Sequence, residues 1–96
     1  MNTNTLNEFS KIKKNTEAIH MVIDNELIIM GPKDHVSYRI NPVGAFIWAL
    51  LDERALTLDE IAAQLAEKYR ITQNQAQQDT RNFVNTMISK HILNID

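Results

Sequence analysis

The 96-residue sequence has no cysteine, only two glycines and two prolines, and no excess of basic residues. Without cysteine, disulfides, thiolate catalysis and cysteine-ligated metal sites are all excluded. Two glycines are too few for a glycine-rich phosphate-binding loop. A formal net charge of -2 also lacks the basic footprint expected of a protein that binds a nucleic-acid backbone. These absences remove many common kinds of active or binding site.

Long hydrophobic runs are missing as well. The longest uncharged apolar stretch lies around residues 42–51, far shorter than the ~20 residues that span a bilayer as a helix. No apolar block follows a basic segment near the N-terminus, so we expect no signal peptide, no membrane partner and a cytoplasmic protein. The length suits one modest core. We predict a flexible tail over residues 1–10 and a single domain over residues 11–96.

Three strands are predicted in the first half of the chain, from short β-branched and apolar segments separated by turn residues. Residues 18–23 and 26–30 flank an Asp-Asn pair that tolerates the positive φ of a hairpin turn. Residues 31–34 supply a second turn. Residues 35–40 then alternate apolar and polar side chains, which is typical of a strand with one packed and one solvated face.

Three helices are predicted in the second half, each from a cap followed by apolar residues at helical spacing. The first is capped by Asn41 and extends to about Glu53. The second begins with a capping box at residues 57–60. The third is capped by Thr72, is the longest and frays near Lys90. Strands followed by helices predict an α+β fold, a three-stranded antiparallel sheet followed by three helices in a winged helix-turn-helix-like arrangement.

Catalytic and metal-binding patterns are not evident. The three histidines, His20, His35 and His91, lie on different predicted elements and lack the spacing of metal ligands. Neighbouring acidic residues stand at helix starts and do not face one another. No serine has the flanking residues of a nucleophile elbow. We therefore expect no enzyme activity, no metal and no cofactor.

One edge of the predicted strand over residues 35–40 has no partner among the other predicted strands. Such an edge is either protected by charged side chains, here His35 and Arg39, or accepts a strand from another chain. Periodicity alone does not distinguish the two. Pairing of the open edge with its own copy would give a homodimer.

A winged-helix DNA-binding regulator is the alternative function, because a short link joins the second and third predicted helices. The exposed face of the third helix is rich in Gln and Asn, but Arg81 is its one basic residue before Lys90. Contacts between basic residues and phosphates supply most of the nonspecific affinity for DNA. We therefore expect no nucleic-acid partner.

Two blocks of the sequence resemble the PqqD family, the small peptide chaperones of coenzyme PQQ biosynthesis. Residues 38–52 contain an Asn at the strand-helix junction, a Gly, an apolar-aromatic pair and a Leu-Leu-Asp helix end. Residues 57–65 contain a capped helix with the pattern Thr, hydrophobic, acidic, Glu-Ile. The apolar helix that contains Asp79 also fits. Gly44 and Trp48 are assigned to helix packing.

The resemblance implies a recognition element for ribosomally synthesized and post-translationally modified peptides (RiPPs). Such a domain binds the leader segment of a precursor peptide and presents it to a maturation enzyme, such as a radical-SAM enzyme or a leader peptidase. In the family, the leader adds as a fourth antiparallel strand beside the third strand and packs against the third helix. The implied peptide-binding residues are Val36, Ser37, Tyr38, Arg39, Ile40, Asp79, Asn82, Phe83, Thr86 and Lys90. Of these, Asp79 and Arg39 would steer an oppositely charged leader residue.

Overall fold

A computed structural model describes residues 6–96 and contains six strands and three helices within them. The elements are β1 (Lys11–Lys14), β2 (Ile19–Ile23), β3 (Glu26–Met30), β4 (Ser37–Ile40), α1 (Pro42–Leu50), β5 (Leu56–Thr57), α2 (Leu58–Tyr69), α3 (Gln73–Ser89) and β6 (Leu93–Ile95). The strands form two antiparallel three-stranded sheets, in the orders β5-β1-β6 and β2-β3-β4. The predicted α+β fold is confirmed, and a second sheet is added to it.

The hairpin of β2 and β3 forms as predicted. Asp24 and Asn25 have φ values of 52° and 66°, and positive φ at both central residues is what a type I′ hairpin turn requires. The two-residue loop places Ile23 opposite Glu26 at the end of the ladder. The other side of β3 pairs with β4.

The strand predicted over residues 35–40 is shorter in the structure. His35 has a φ of 57° and belongs to the preceding turn, so β4 begins at Ser37. The carboxylate of Asp34 accepts a hydrogen bond of 2.9 Å from the backbone N–H of Val36, so this N–H bonds to the turn and not to the neighbouring strand. Val36, predicted as a strand residue, is 47% exposed just before β4.

All three helices begin at their predicted caps. The Asn41 side chain accepts from the backbone N–H of Gly44 at 2.7 Å. Thr57 and Glu60 form both halves of the capping box of α2, and Thr72 caps α3. These side chains satisfy backbone donors that a helix start would otherwise leave unpaired.

The helix ends agree less closely with the sequence. The predicted end of the first helix at Glu53 is wrong, because Leu51 already leaves helical geometry and its N–H turns back to the carbonyls of Trp48 and Ala49. Arg70 ends α2 in the left-handed conformation, with a φ of 55°. This residue keeps the link between α2 and α3 short, as predicted.

The sheet of β5, β1 and β6 is not predicted by the sequence. Ile12 in β1 pairs with Leu56 on one side and Ile95 on the other, and it is fully buried. The apolar tail predicted over residues 92–95 is mostly the strand β6. Strands this short carry little local pattern, and their partners are distant in the sequence.

The segment before β1 is only partly described. Residues 1–5 of the predicted tail lie outside the described residues. Leu6 packs against the core, and Asn7 and Ser10 exchange hydrogen bonds across a turn.

The core lies between the three helices and the inner faces of the two sheets. Its fully buried large apolar side chains are Ile12, Ile29, Ile47, Ile61, Leu65, Val84, Ile92 and Leu93. From the β2-β3-β4 sheet, Ile29 and Ile40 face this core, so their side of the sheet is its inner face. No helix within residues 6–96 combines the length and apolar character needed to cross a membrane.

Candidate functional site

β4 ends the β2-β3-β4 sheet on one side within the described residues. Next to it, the backbone N–H of Gly31 donates to the carbonyl of Val36 at 2.9 Å. Antiparallel strands alternate between residues that bond to a given neighbour and residues that do not. Because Val36 bonds on the β3 side, Tyr38 and Ile40 do so too. Ser37 and Arg39, between them, direct their N–H and C=O groups away from β3. The edge of β4 therefore offers a row of backbone donors and acceptors.

The side chains of β4 point alternately into and away from the protein. Ile40 is buried and Tyr38 is half-buried on the inner face, whereas Ser37 and Arg39 are exposed. Arg39 is paired with Glu26, whose Oε2 lies 3.5 Å from its Nε. This ion pair holds the guanidinium toward β3, so it protects the outer edge of β4 less than a free charge would.

A cleft of about 470 Å³ lies between α3 and the start of α1. Because Asn41 directly follows β4 and lines this cleft, the cleft opens at the Ile40 end of the strand. Its lining residues are Asn41, Val43, Gly44, Asp79, Asn82, Phe83 and Thr86. The structure thus brings four of the five predicted helix residues together in one depression, all from α3.

The start of α1 was not among the predicted binding residues, although it forms one wall of this cleft. A Cβ atom at Gly44 would lie 2.6 Å from Cε1 of Phe83 and 2.8 Å from Cγ2 of Ile40. Glycine therefore lets α1 approach both neighbours closely, which fits the packing role predicted for it. The capping Asn41 and the nearby Gly44 were the sequence signal for this wall.

Polar groups on α3 surround the half-buried ring of Phe83. Oδ1 of Asp79 accepts a hydrogen bond of 2.9 Å from Nε2 of Gln75. The hydroxyl of Thr86 donates to the carbonyl of Asn82 at 2.9 Å. The cleft therefore combines an apolar floor with a negatively charged and amide-bearing rim.

Lys90 was predicted as part of the helix wall but is the C-cap residue beyond α3. Its Nζ lies 4.4 Å from the centroid of the Tyr38 ring. The Tyr38 hydroxyl donates to the carboxylate of Asp34. This hydrogen bond is the main cause that lowers the pKa of Asp34 and raises the pKa of Tyr38. The three side chains join the end of α3 to the turn before β4.

A second, larger cleft of about 780 Å³ lies on the other side of the α1 start. The rings of Phe46 and Tyr69 meet edge to face there, with centroids 6.1 Å apart, and Lys68 lies beside them. Asn41 lines both clefts, so they adjoin where β4 passes into α1. In the part of the chain that the structure describes, no group of three or more His, Asp or Glu side chains is placed to hold a metal ion.

The model of the family Coenzyme PQQ synthesis protein D (PqqD) matches residues 26–93. This match covers well over half of the chain and includes β3, β4 and all three helices. The chain belongs to the PqqD family. The resemblance found in the sequence is thereby confirmed. No curated protein sequence matches this PqqD-family chain significantly.

Two solved structures have the fold of this PqqD-family chain. TbiB1 in complex with the TbiA(beta) leader peptide is 24% identical, with a TM-score of 0.72 and coverage of 84% of this chain and 93% of TbiB1. The PqqD truncation of Methylobacterium extorquens PqqCD, a functional and stand-alone RiPP recognition element, is 14% identical. Its TM-score is 0.76, with coverage of 97% of this chain and 98% of that one. At these identities the likeness establishes the fold.

Proposed function

We propose that this PqqD-family protein is a stand-alone RiPP recognition element that binds the leader segment of a precursor peptide. The observation that carries the proposal is the open edge of β4 beside the cleft on α3. Backbone groups along such an edge supply affinity for an extended peptide, and neighbouring pockets for alternate side chains supply specificity. Both parts are adjacent here.

The leader adds as a fourth strand, antiparallel to β4. Its backbone bonds to the outward N–H and C=O groups of Ser37 and Arg39. Alternate leader side chains face the inner side of the sheet, where Phe83 and its neighbours on α3 receive them. An antiparallel peptide has its upstream end near Ile40, so its first bound residues reach the place where the two clefts adjoin.

The chemistry of the cleft favours particular leader side chains. Val43 and Phe83 give it an apolar floor, and Asp79 gives it a negative charge at the rim. An apolar leader residue followed by a basic or amide-bearing one fits this combination. Arg39 would steer an acidic leader residue, although its ion pair with Glu26 weakens that attraction.

The family and its relatives support a role in peptide recognition. TbiB1 is held in complex with a leader peptide, and the M. extorquens PqqD truncation is a functional recognition element. We propose that this chain binds without catalysing and acts in the cytoplasm. It delivers the leader to a maturation enzyme, such as a radical-SAM enzyme or a leader peptidase.

An NMR titration with the leader of a precursor encoded beside this protein tests the binding mode. We expect saturable shifts over residues 36–40 and along α3. Exchange of the Ser37 and Arg39 amides should slow on binding, while the Tyr38 amide, already bonded to β3, should change little. A scrambled leader of the same composition is the control. Shifts confined to other surfaces, or uniform protection of β4, would refute strand addition.

Delivery is tested with the maturation enzyme encoded in the same gene neighbourhood. Adding this protein should accelerate modification of the full precursor and leave a precursor without its leader unaffected. Equal acceleration of both substrates would show that the protein acts on the enzyme in another way. If neither substrate were modified faster, the delivery role would be refuted. The binding role is tested separately by the NMR titration.

A further inference from the structure

β2 forms the opposite edge of the β2-β3-β4 sheet from β4, and its sequence is Ile-His-Met-Val-Ile. All five residues are exposed, including Ile19 at 60%, Met21 at 51%, Val22 at 67% and Ile23 at 48%. No other strand within residues 6–96 pairs with the outer side of β2. The strand also lies outside the residues matched by the PqqD family model.

The usual protections of an edge strand are missing from β2. Edge strands ordinarily carry lysine, proline or a bulge, or lie under a helix or loop. β2 contains no charged residue and no proline, and it pairs with β3 in unbroken register. Its one polar side chain, His20, is turned inward, with its ring 5.7 Å from that of Trp48. An apolar, unprotected edge without a bulge is the kind that another strand covers.

The backbone of β2 is directed outward at two positions. In a hairpin with a two-residue loop, the residues flanking the loop, here Ile23 and Glu26, form a hydrogen-bonded pair. Alternation then leaves the N–H and C=O groups of His20 and Val22 facing away from β3. The hydrogen bond from the Gly31 N–H to the Val36 carbonyl agrees with this assignment. Alternation along β3, counted from that bond, leads to the same residues.

We propose that a second copy of this chain covers the edge, with the two β2 strands paired antiparallel about a twofold axis at Met21. In this register, His20 stands opposite Val22 of the second copy, and Val22 stands opposite His20 of the second copy. These pairs give about four backbone hydrogen bonds between the copies. Ile19 stands opposite Ile23 of the second copy on the outer face.

The charges beside β2 are compatible with this self-pairing. At the ends of the paired strands, Asp24 stands opposite Ala18 and Glu17 opposite Asn25 of the second copy. No like charges face each other, whereas like charges directly opposite would oppose the pairing. A twofold interface uses the same surface on both copies, so the surface must be compatible with itself. In this register β2 and its flanking residues are compatible with a second copy. The resulting six-stranded sheet has β4 at both outer ends, so both leader sites stay open.

Two paired five-residue strands bury less than the ~800 Å² per partner of a standard interface. We therefore expect a weak, reversible dimer. Sedimentation velocity of the whole protein over a wide concentration series should show the mass rising toward that of two copies. The variant Met21→Lys should remain monomeric, because it places two positive charges against each other at the axis. The matched control Met21→Leu should dimerise.

Amide exchange identifies the paired strand independently. The amides of His20 and Val22 should become more protected as concentration rises, while the Met21 amide, already bonded to β3, should not. Ile28→Glu, on the outer face of β3 opposite Arg39, separates edge pairing from packing of two sheet faces. It should leave the dimer intact.

Three outcomes would overturn the proposal. A constant monomer mass over the whole series means that no second copy covers β2. Loss of the dimer in Ile28→Glu without concentration-dependent protection at His20 and Val22 means face packing. A Met21→Lys protein that still dimerises means that the interface is elsewhere. Circular dichroism of each variant checks that the fold is retained.

Discussion

The two edges of the β2-β3-β4 sheet have the same backbone capacity and very different surroundings. The Ile40 end of β4 adjoins a cleft between α3 and the start of α1, and the inner side chains of the strand pack in or against the core. The side chains of β2, by contrast, are exposed on both faces. The residues beside each edge therefore set the partner that we propose for it. For β4, which adjoins a cleft, we propose an extended peptide as the partner, and for the apolar β2 we propose a second copy of the same strand.

Proline substitutions in β4 and in β2 should produce the largest effects, the first on leader affinity and the second on dimerisation. Ser37→Pro removes an outward N–H from β4 and leaves a leader carbonyl without its donor. An unsatisfied group of this kind costs about 1–3 kcal/mol, or roughly 5- to 150-fold in affinity. Val22→Pro should instead abolish the dimer and leave leader affinity unchanged. Calorimetry measures the first effect and sedimentation the second.

Alanine at the same two positions is the control, since Ser37→Ala and Val22→Ala keep the backbone N–H. If Ser37→Pro and Ser37→Ala bound the leader equally well, the backbone of β4 would not take part. If each proline variant weakened both activities, the two edges would not act separately.

A methyl group added at Gly44, in the α1 wall of the cleft, should have the next largest effect. In Gly44→Ala, the new methyl group is too close to Phe83 and Ile40. Overpacking of this kind costs about 1–3 kcal/mol, partly offset by about 1 kcal/mol of improved helix propensity. We expect a lower Tm and weaker leader binding, with dimerisation unchanged.

A double variant shows whether Phe83 causes the loss. Phe83→Leu shortens the side chain that the methyl group meets, so Gly44→Ala should cost less stability in that background. An equal cost in both backgrounds would place the strain elsewhere.

Removing the charge at the rim of the cleft should have a smaller effect. For a leader with a basic residue near the site, Asp79→Asn should weaken binding by less than about 1 kcal/mol, the usual limit for an exposed ion pair. It should also reduce the dependence of affinity on salt. Asp59→Asn, on the exposed start of α2, is the matched control. An unchanged salt dependence in Asp79→Asn would show that Asp79 contributes no charge to recognition.

The smallest effect is expected at the turn before β4. Tyr38→Phe removes the hydroxyl that lowers the pKa of Asp34, so this pKa should rise toward its ordinary value of 3.8. In the unaltered protein, a lowered folded-state pKa means that the hydrogen bond stabilises the fold above pH 3.8. That stabilisation is lost as pH falls through the lower folded-state pKa. Carbon NMR of the carboxyl group should follow the shift, and thermal unfolding in acid should become less pH-dependent. An Asp34 titration identical in both proteins would contradict this account.

Local chemistry made much of the fold predictable. The Asp-Asn pair supplies the positive φ values of the hairpin turn. The capping Asn41, the box at Thr57 and the cap at Thr72 satisfy backbone groups close in sequence. Their effect is therefore visible in a short window. β1, β5 and β6 escaped prediction because each is short and gains its stability from strands far away in the chain.

The candidate site was predictable where one element supplies it. The residues of α3 that line the cleft share one helical face, and the family resemblance pointed to them. The wall formed by α1 depends on how closely Gly44 approaches Phe83, which is a tertiary contact. The outward direction of Ser37 was likewise undetermined until the pairing of β4 with β3 was known.

The sheet of β5, β1 and β6 has a consequence for the order of folding. Ile12 and Ile95 meet in it from opposite ends of the described chain, so its formation closes a very long loop. Contacts of this kind are slow to form, because chain entropy must be lost before the contact is gained. The hairpin and the capped helices can form earlier from local contacts. Since β6 follows α3 almost directly, the cleft wall formed by α3 would then reach its final position among the last events of folding.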